Sequence, residues 1–252
     1  MYYSVCANAV FDGVSIQDAL LRIRRSGAEY YEFWSWWDQD IPAIEEAQRR
    51  TGLKPAALCT KFIPLNDPER RSEYIEGLRE SIAVAKRLGC PTLISQIGQA
   101  STASRKEQRD CIVNGLRACA PILEENDIVL TIEPLNVLVD HPGYYLVTSG
   151  EGFEIVRKTA SPNVKLLFDI YHQQISEGNL ISNIREGISL IGHIHAAGNP
   201  GRHELLGENE ICYKSVFAAL KASGYDKAIG LEYFPLEDPE EGLKSLFAQL
   251  PL

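Results

Sequence analysis

Residues 164–172 read VKLLFDIYH. An almost wholly apolar run of this length fits a strand covered on both faces, as parallel strands packed beneath helices are. The run stops at Asp169, and His172 follows one helical turn later. The pattern recurs on either side: VLTIE at 129–133, IGHIH at 191–195 and AIGLE at 228–232 each end an apolar run in a polar, chemically competent group. Further out, β-rich runs fall at 2–7, 30–33, 55–59 and 92–96, each followed by a longer segment with helical period. Ile112, Leu116, Cys119 and Leu123 trace one helical stripe, as do Leu243, Leu246, Phe247 and Leu250.

The punctuation agrees with the periodicity. Ser15 with Asp18, Ser104 with Glu107 and Thr148 with Glu151 fit capping boxes, and Asp238-Pro239 places a cap before a first-turn proline. Gly27, Gly52, Gly89 and Gly224 each close a helical run shortly before a strand. No Pro/Ser-rich linker divides the chain. Eight strand–helix units in 252 residues predict an α/β fold, a single-domain (β/α)8 TIM barrel spanning 1–252. A doubly wound open sheet is the rival, and the missing GxGxxG after the first strand weakens its dinucleotide-binding form.

Composition narrows the function. With 25 basic and 34 acidic residues, the net charge of −9 suits neither a nucleic acid backbone nor an anionic membrane. No apolar run reaches membrane-spanning length, and the N-terminal MYYSVCANAV lacks a basic signal-peptide region. Six cysteines without CxxC spacing read as thiols of a reducing compartment, so a cytoplasmic location is expected.

In a barrel of this kind, chemistry sits at the C-terminal ends of the strands. Glu133, Asp169, His195 and Glu232 end four consecutive strands. Any one alone reads as a turn or helix cap. Together, three crowded carboxylates repel unless a cation joins them. Neighbouring strands lie about 4.8 Å apart, so the four groups can meet around one divalent metal ion. Mn2+ or Co2+ is favoured over Mg2+ by the imidazole. Because side chains alternate along a strand, His193 is expected to point away from His195 as a packed or hydrogen-bonded residue.

The motifs AEYYEFWSWWDQD, IEPLN, FDIYHQQ, GHIHAAGNPGRHE and LEYF, in this order and at barrel spacing, resemble the xylose-isomerase-like TIM barrels. The likeness is strongest to the hydroxypyruvate isomerase branch, which sits beside the D-tagatose/D-psicose 3-epimerases, and it spans nearly the whole chain. The resemblance implies metal ligation by Glu133, Asp169, His195 and Glu232, and acid/base work by Glu133 and Glu232. It also implies that His172 and Arg202 hold substrate oxygens. Val139 stands where the epimerases carry a further Glu, which favours the isomerase over the epimerase. Val137 and Leu138 replace polar groups common in the isomerases, and suggest a small or partly apolar site.

The chemistry implied is proton transfer next to a carbonyl through an enediolate, with a metal holding the oxygens and carboxylates moving the proton. Arg202 offers a planar fork for a carboxylate on a small sugar or keto-acid substrate. Phe33, Trp34, Trp36 and Trp37 either wall the site or pack on themselves or on a partner subunit of a homo-oligomer. Lys61 and Gln96, near the ends of the third and fourth strands, are expected to reach substrate oxygens. The alternatives are a ketose 3-epimerase, an inosose dehydratase-like lyase, or a non-catalytic sugar binder. The paired Glu133 and Glu232 speak against the binder. Five histidines and the acidic charge speak against a phosphodiester-cleaving relative.

Overall fold

The computed structural model describes residues 1–252. Its strands are β1 (Tyr2–Cys6), β2 (Tyr30–Phe33), β3 (Lys54–Cys59), β4 (Thr92–Ser95), β5 (Val129–Ile132), β6 (Val164–Asp169), β7 (Ile191–Ala196) and β8 (Ala228–Leu231). They close a parallel barrel in chain order. The open-sheet rival is excluded because β1 pairs with both β2 and β8.

Helices α1 (Ala7–Val10), α2 (Ile16–Arg25), α3 (Ile41–Thr51), α4 (Arg71–Leu88), α5 (Arg105–Asn126), α6 (Ser149–Thr159), α7 (Ile170–Ser176), α8 (Leu180–Gly187), α9 (Tyr213–Ala222) and α10 (Pro239–Gln249) lie between and after the strands. Short helices α1 and α7 were not expected; each begins directly where β1 or β6 ends. For α7 the cause is local: the Asp169 side chain accepts a hydrogen bond from the His172 amide at 3.0 Å and caps the first turn.

The caps are simpler than the spacing implied. Only Ser104 and Glu107 form the reciprocal box. At Ser15 the partner Asp18 takes the serine hydroxyl instead, and at Thr148 the partner Glu151 turns to Tyr145 and Arg105. Gly52 and Gly89 close α3 and α4 in the left-handed conformation, at φ 70° and 75°, where a Cβ would be strained.

One core of 65 buried residues fills the layer between barrel and helices. A second, small cluster of Ala57, Cys59, Ile94 and Leu167 fills part of the barrel interior, with Trp34 packed against it. Alternation along β6 sorts the two: Leu166 and Phe168 join the outer core and Leu167 the inner one. All six cysteines are free thiols, and Cys6, Cys59, Cys90 and Cys119 are buried. No helix is long and apolar enough to cross a membrane.

The expectation that His193 points away from His195 is overturned. Residues two apart on a strand share a face, so both rings project into the barrel while Ile194 joins the outer core. The rings lie 5.1 Å apart and both reach the Glu32 carboxylate. The other half of that expectation describes the geometry well: the His193 ring is buried and hydrogen-bonded, through Nε2, to Glu32 at 3.0 Å.

Candidate active site

Four strand ends bring the expected groups to one point. Asp169 is the last residue of β6 and pairs in register with His195 on β7. Glu133 and Glu232 lie one residue beyond β5 and β8. His195 Nδ1 sits among the three carboxylates, 3.5 Å from Glu133, 3.4 Å from Glu232 and 4.0 Å from Asp169. All four side chains are buried. His172 joins Glu133, Asp169 and Glu232 in a group whose potential ligand atoms lie within 4.8 Å of one another.

The electrostatics set three buried carboxylates against His195 and Arg202. Burial pushes the Asp169 carboxyl up. At Glu232 burial acts in the same direction, but the charges of His195 and Arg202 outweigh it and hold the carboxyl low. Burial would lower the pKa of His195, yet Glu232 and Glu32 raise it well above the ordinary imidazole range. Glu133 Oε1, His172 Nε2 and His195 Nδ1 are buried without a hydrogen-bond partner. Such atoms are costly to leave unpaired. Three carboxylates with an imidazole beside them, His172 in one group and His195 Nδ1 within 4.0 Å of all three, make a donor set that suits a divalent cation.

Above the cradle lies a cavity of about 200 Å3, lined in part by Trp34, Gln96, Glu133, His172, Arg202 and Glu232. Trp34 Nε1 donates to Glu232 Oε1 at 2.6 Å, and Arg202 pairs with the other oxygen of the same carboxylate. His172 Nδ1 faces the Asn136 amide at 3.3 Å and its side-chain nitrogen at 2.7 Å. A backbone amide can only donate, so Nδ1 is the acceptor and Nε2 carries the proton toward the cavity. Burial, and then Arg202, lower the His172 pKa to about 4, which keeps the ring neutral.

Arg202 is built in from several sides. Its guanidinium lies over the rings of Tyr171 and Phe234, at 5.5 and 5.8 Å, and 3.8 Å from Asp140. Asp140 in turn accepts from Asn136 at 2.6 Å and from Tyr171 at 3.0 Å. The Arg202 backbone adopts φ 60°, unusual for a non-glycine residue, and Phe234 N donates to its carbonyl at 2.8 Å. Its Nε is buried and unpartnered.

Other expectations fail. Lys61 points away from the cavity, pairs with Glu80 of α4 and lies over Trp36. The aromatic run is split: Phe33 belongs to the outer core, Trp36 donates to Ser81 of α4 at 3.2 Å, and Trp37 sits at the surface against Phe62. Leu138 and Val139 are exposed rather than lining the site, so its apolar wall comes from Cys59, Phe62, Ile94 and Leu135. Unforeseen were Glu32, Asn136, Asp140, Tyr171 and His141, the last of which lines the cavity 5.4 Å from the His172 ring. Asn136 stood in plain view in IEPLN, three residues after Glu133.

A larger cavity, about 610 Å3, lies between the 204–207 loop and α10. Its acidic side chains, Glu204, Glu237, Asp238 and Glu241, belong to no cluster able to hold a metal. The smaller cavity is the one with converging chemistry.

Fold and site together define a (β/α)8 barrel with a buried carboxylate–imidazole cradle at its catalytic mouth. A family model described as xylose isomerase-like TIM barrel matches residues 12–249, and the chain belongs to that family. It is 32% identical over 244 residues to a putative hydroxypyruvate isomerase of Homo sapiens, covering 89% of this chain and 87% of that protein. It is 28% identical over 243 residues to a 2-oxo-tetronate isomerase of Pectobacterium atrosepticum, covering 93% and 92%. Among solved structures, it is similar to an AP endonuclease, family 2, from Brucella melitensis: TM-score 0.93, 26% identity, and 99% of each chain covered.

Proposed function

We propose that this protein is an isomerase of three- or four-carbon hydroxy-keto acids, of the hydroxypyruvate or 2-oxo-tetronate kind, dependent on a divalent metal ion. The observation that carries the reading is the pair Glu133 and Glu232, two buried carboxylates on either side of His195 Nδ1, lining one small cavity. Relatives named as isomerases of such acids support the substrate class.

Glu133, Asp169, His195 and Glu232 would hold a divalent ion, Mn2+ or Co2+ before Mg2+ because one ligand is an imidazole, and it would supply an electrophile for the substrate oxygens. Glu133 takes the proton from the hydroxyl-bearing carbon and Glu232 delivers one to the neighbouring, former carbonyl carbon, while the hydroxyl proton passes to the former carbonyl oxygen; the two carboxylates exchange roles with direction. His172 Nε2–H donates to a substrate oxygen from a ring fixed by Asn136. Arg202, paired with Glu232 at the cavity wall, has one unpartnered, buried N–H, with which it receives the substrate carboxylate. Trp34 holds Glu232 and closes the apolar side. The cavity volume suits a small acid, while a free hexose needs more hydrogen-bond partners than this wall offers. The acidic charge and free thiols support action in the cytoplasm on a soluble substrate.

The test is a panel of hydroxypyruvate, tetrulosonates, tetruloses, pentuloses and hexuloses with the ion-reconstituted protein, compared by kcat/KM. Keto acids are expected to lead. A tenfold advantage for free hexuloses would transfer the assignment to a 3-epimerase.

A further inference from the structure

Below the cradle, the barrel interior holds a second buried cluster. Glu32 projects from β2 across the barrel to β7 and is buried with both histidines. One carboxylate oxygen lies 3.0 Å from His193 Nε2 and the other 3.0 Å from His195 Nε2. The His193 contact is a well-formed hydrogen bond; the one to His195 has the length of a hydrogen bond without its alignment. Space for this arrangement is made by Gly230 of β8, the in-register neighbour of His195. A Cβ at Gly230 would collide with both Glu32 Oε1 and His195 Cδ2.

His195 therefore faces two ways. Nδ1 looks up at Glu133, Asp169 and Glu232, and Nε2 looks down at Glu32. Glu32 offers only acceptors, so once a cation displaces the proton facing Glu133 and Glu232 the remaining proton stays on Nε2 and the Nδ1 lone pair is free to ligate. An imidazole whose far N–H is held by a carboxylate is fixed in tautomer and rotation and is a better ligand. We infer that Glu32 is a positioning residue for the proposed metal centre: it orients His195 for ligation through Nδ1, and His193 holds Glu32 in place. The inference rests on the metal-dependent reading above.

The experiment measures Mn2+ affinity and stoichiometry by calorimetry for the wild type and for Glu32→Gln. The wild type is expected to bind one ion per chain. The folded variant is expected to bind it about 10–100-fold more weakly, the usual range for a lost ligand-orienting partner. Equal affinity in a folded Glu32→Gln protein overturns the role of Glu32 alone. No ion bound by the wild type overturns both this inference and the metal-dependent reading. Two ions per chain, the second lost in the variant, would make Glu32, His193 and His195 a second metal site and end the positioning role. Where Glu32→Gln does not fold, the wild type decides: in the Mg2+- or Zn2+-loaded protein with 15N-labelled histidine, His195 should carry its proton on Nε2. Ligation through Nε2, with the proton on Nδ1, overturns the inference.

Discussion

Two acidic clusters share one imidazole, and they are built on opposite principles. Above His195, Glu133 Oε1 and the Nδ1 atom itself are buried without partners, and Asp169 is pushed up by burial. Below it, Glu32 is equally buried, yet the two imidazoles outweigh burial and hold its carboxyl down at about 2. Buried charge is tolerated when its partners are internal, as below. The upper cluster sets three carboxylates against His195 and Arg202 and opens to a cavity that a cation or substrate can enter. The difference separates a site from its support: the upper cluster faces a cavity, and the lower one is closed off inside the barrel.

The comparison breaks first at the acid/base pair. Glu133→Gln and Glu232→Gln should each lower kcat by about 10²–10⁴-fold, the contribution of general acid–base catalysis. Steady-state turnover of either variant at the wild-type rate removes that carboxylate from the mechanism. Arg202→Ala should reduce the preference for keto acids over neutral ketoses by about 10–100-fold, because hydrogen bonds to a charged group contribute roughly 1.5–3 kcal/mol. Equal losses on both substrate types would leave Arg202 only an oxygen-positioning role.

Protonation sharpens the contrast. The His195 pKa is raised above 6.5: burial would lower it, but Glu232 and Glu32 prevail. A cation taking Nδ1 must displace that proton, so ion affinity should rise with pH throughout the range below the raised pKa and level off above it. Calorimetry in two buffers of different ionisation enthalpy registers the released proton; a pH-independent affinity with no release contradicts the assignment. The smallest effect belongs to Lys61→Ala. Its pair with Glu80 is partly exposed, so stability should change by under about 1 kcal/mol and kcat/KM by less than twofold. A large kinetic loss would return Lys61 to the site.

What the sequence made legible was local. An apolar run ending in a carboxylate is visible without knowing what lies beside it, which is why Glu133, Asp169 and Glu232 could be placed at strand ends before any coordinates. The convergence of four consecutive strand ends follows from barrel closure. Glu32 was illegible because it sits in EYYEFW, among aromatics, and its meaning arises only from β7 across the barrel. Lys61 and Trp36 follow a strand but turn outward to α4, a choice made by loop conformation rather than by residue type. The Asn136–His172 and Asp140–Tyr171 bonds likewise depend on how the loop after β5 meets α7. His193 and the boxes at Ser15 and Thr148 were local and still differ: period-two alternation puts residues 193 and 195 on the same face, and Asp18 and Glu151 take other partners.

The central claim is that carboxylates on this cradle take a proton from the hydroxyl-bearing carbon and deliver one to the former carbonyl carbon. It is tested most directly by running the ion-loaded wild-type reaction in D2O and locating the label by NMR. Deuterium at the former carbonyl carbon of the product, and increasingly at the hydroxyl-bearing carbon of recovered substrate, is the expected result. Complete conversion with the original hydrogen fully retained and no solvent label would contradict it, and would point to a hydride shift instead.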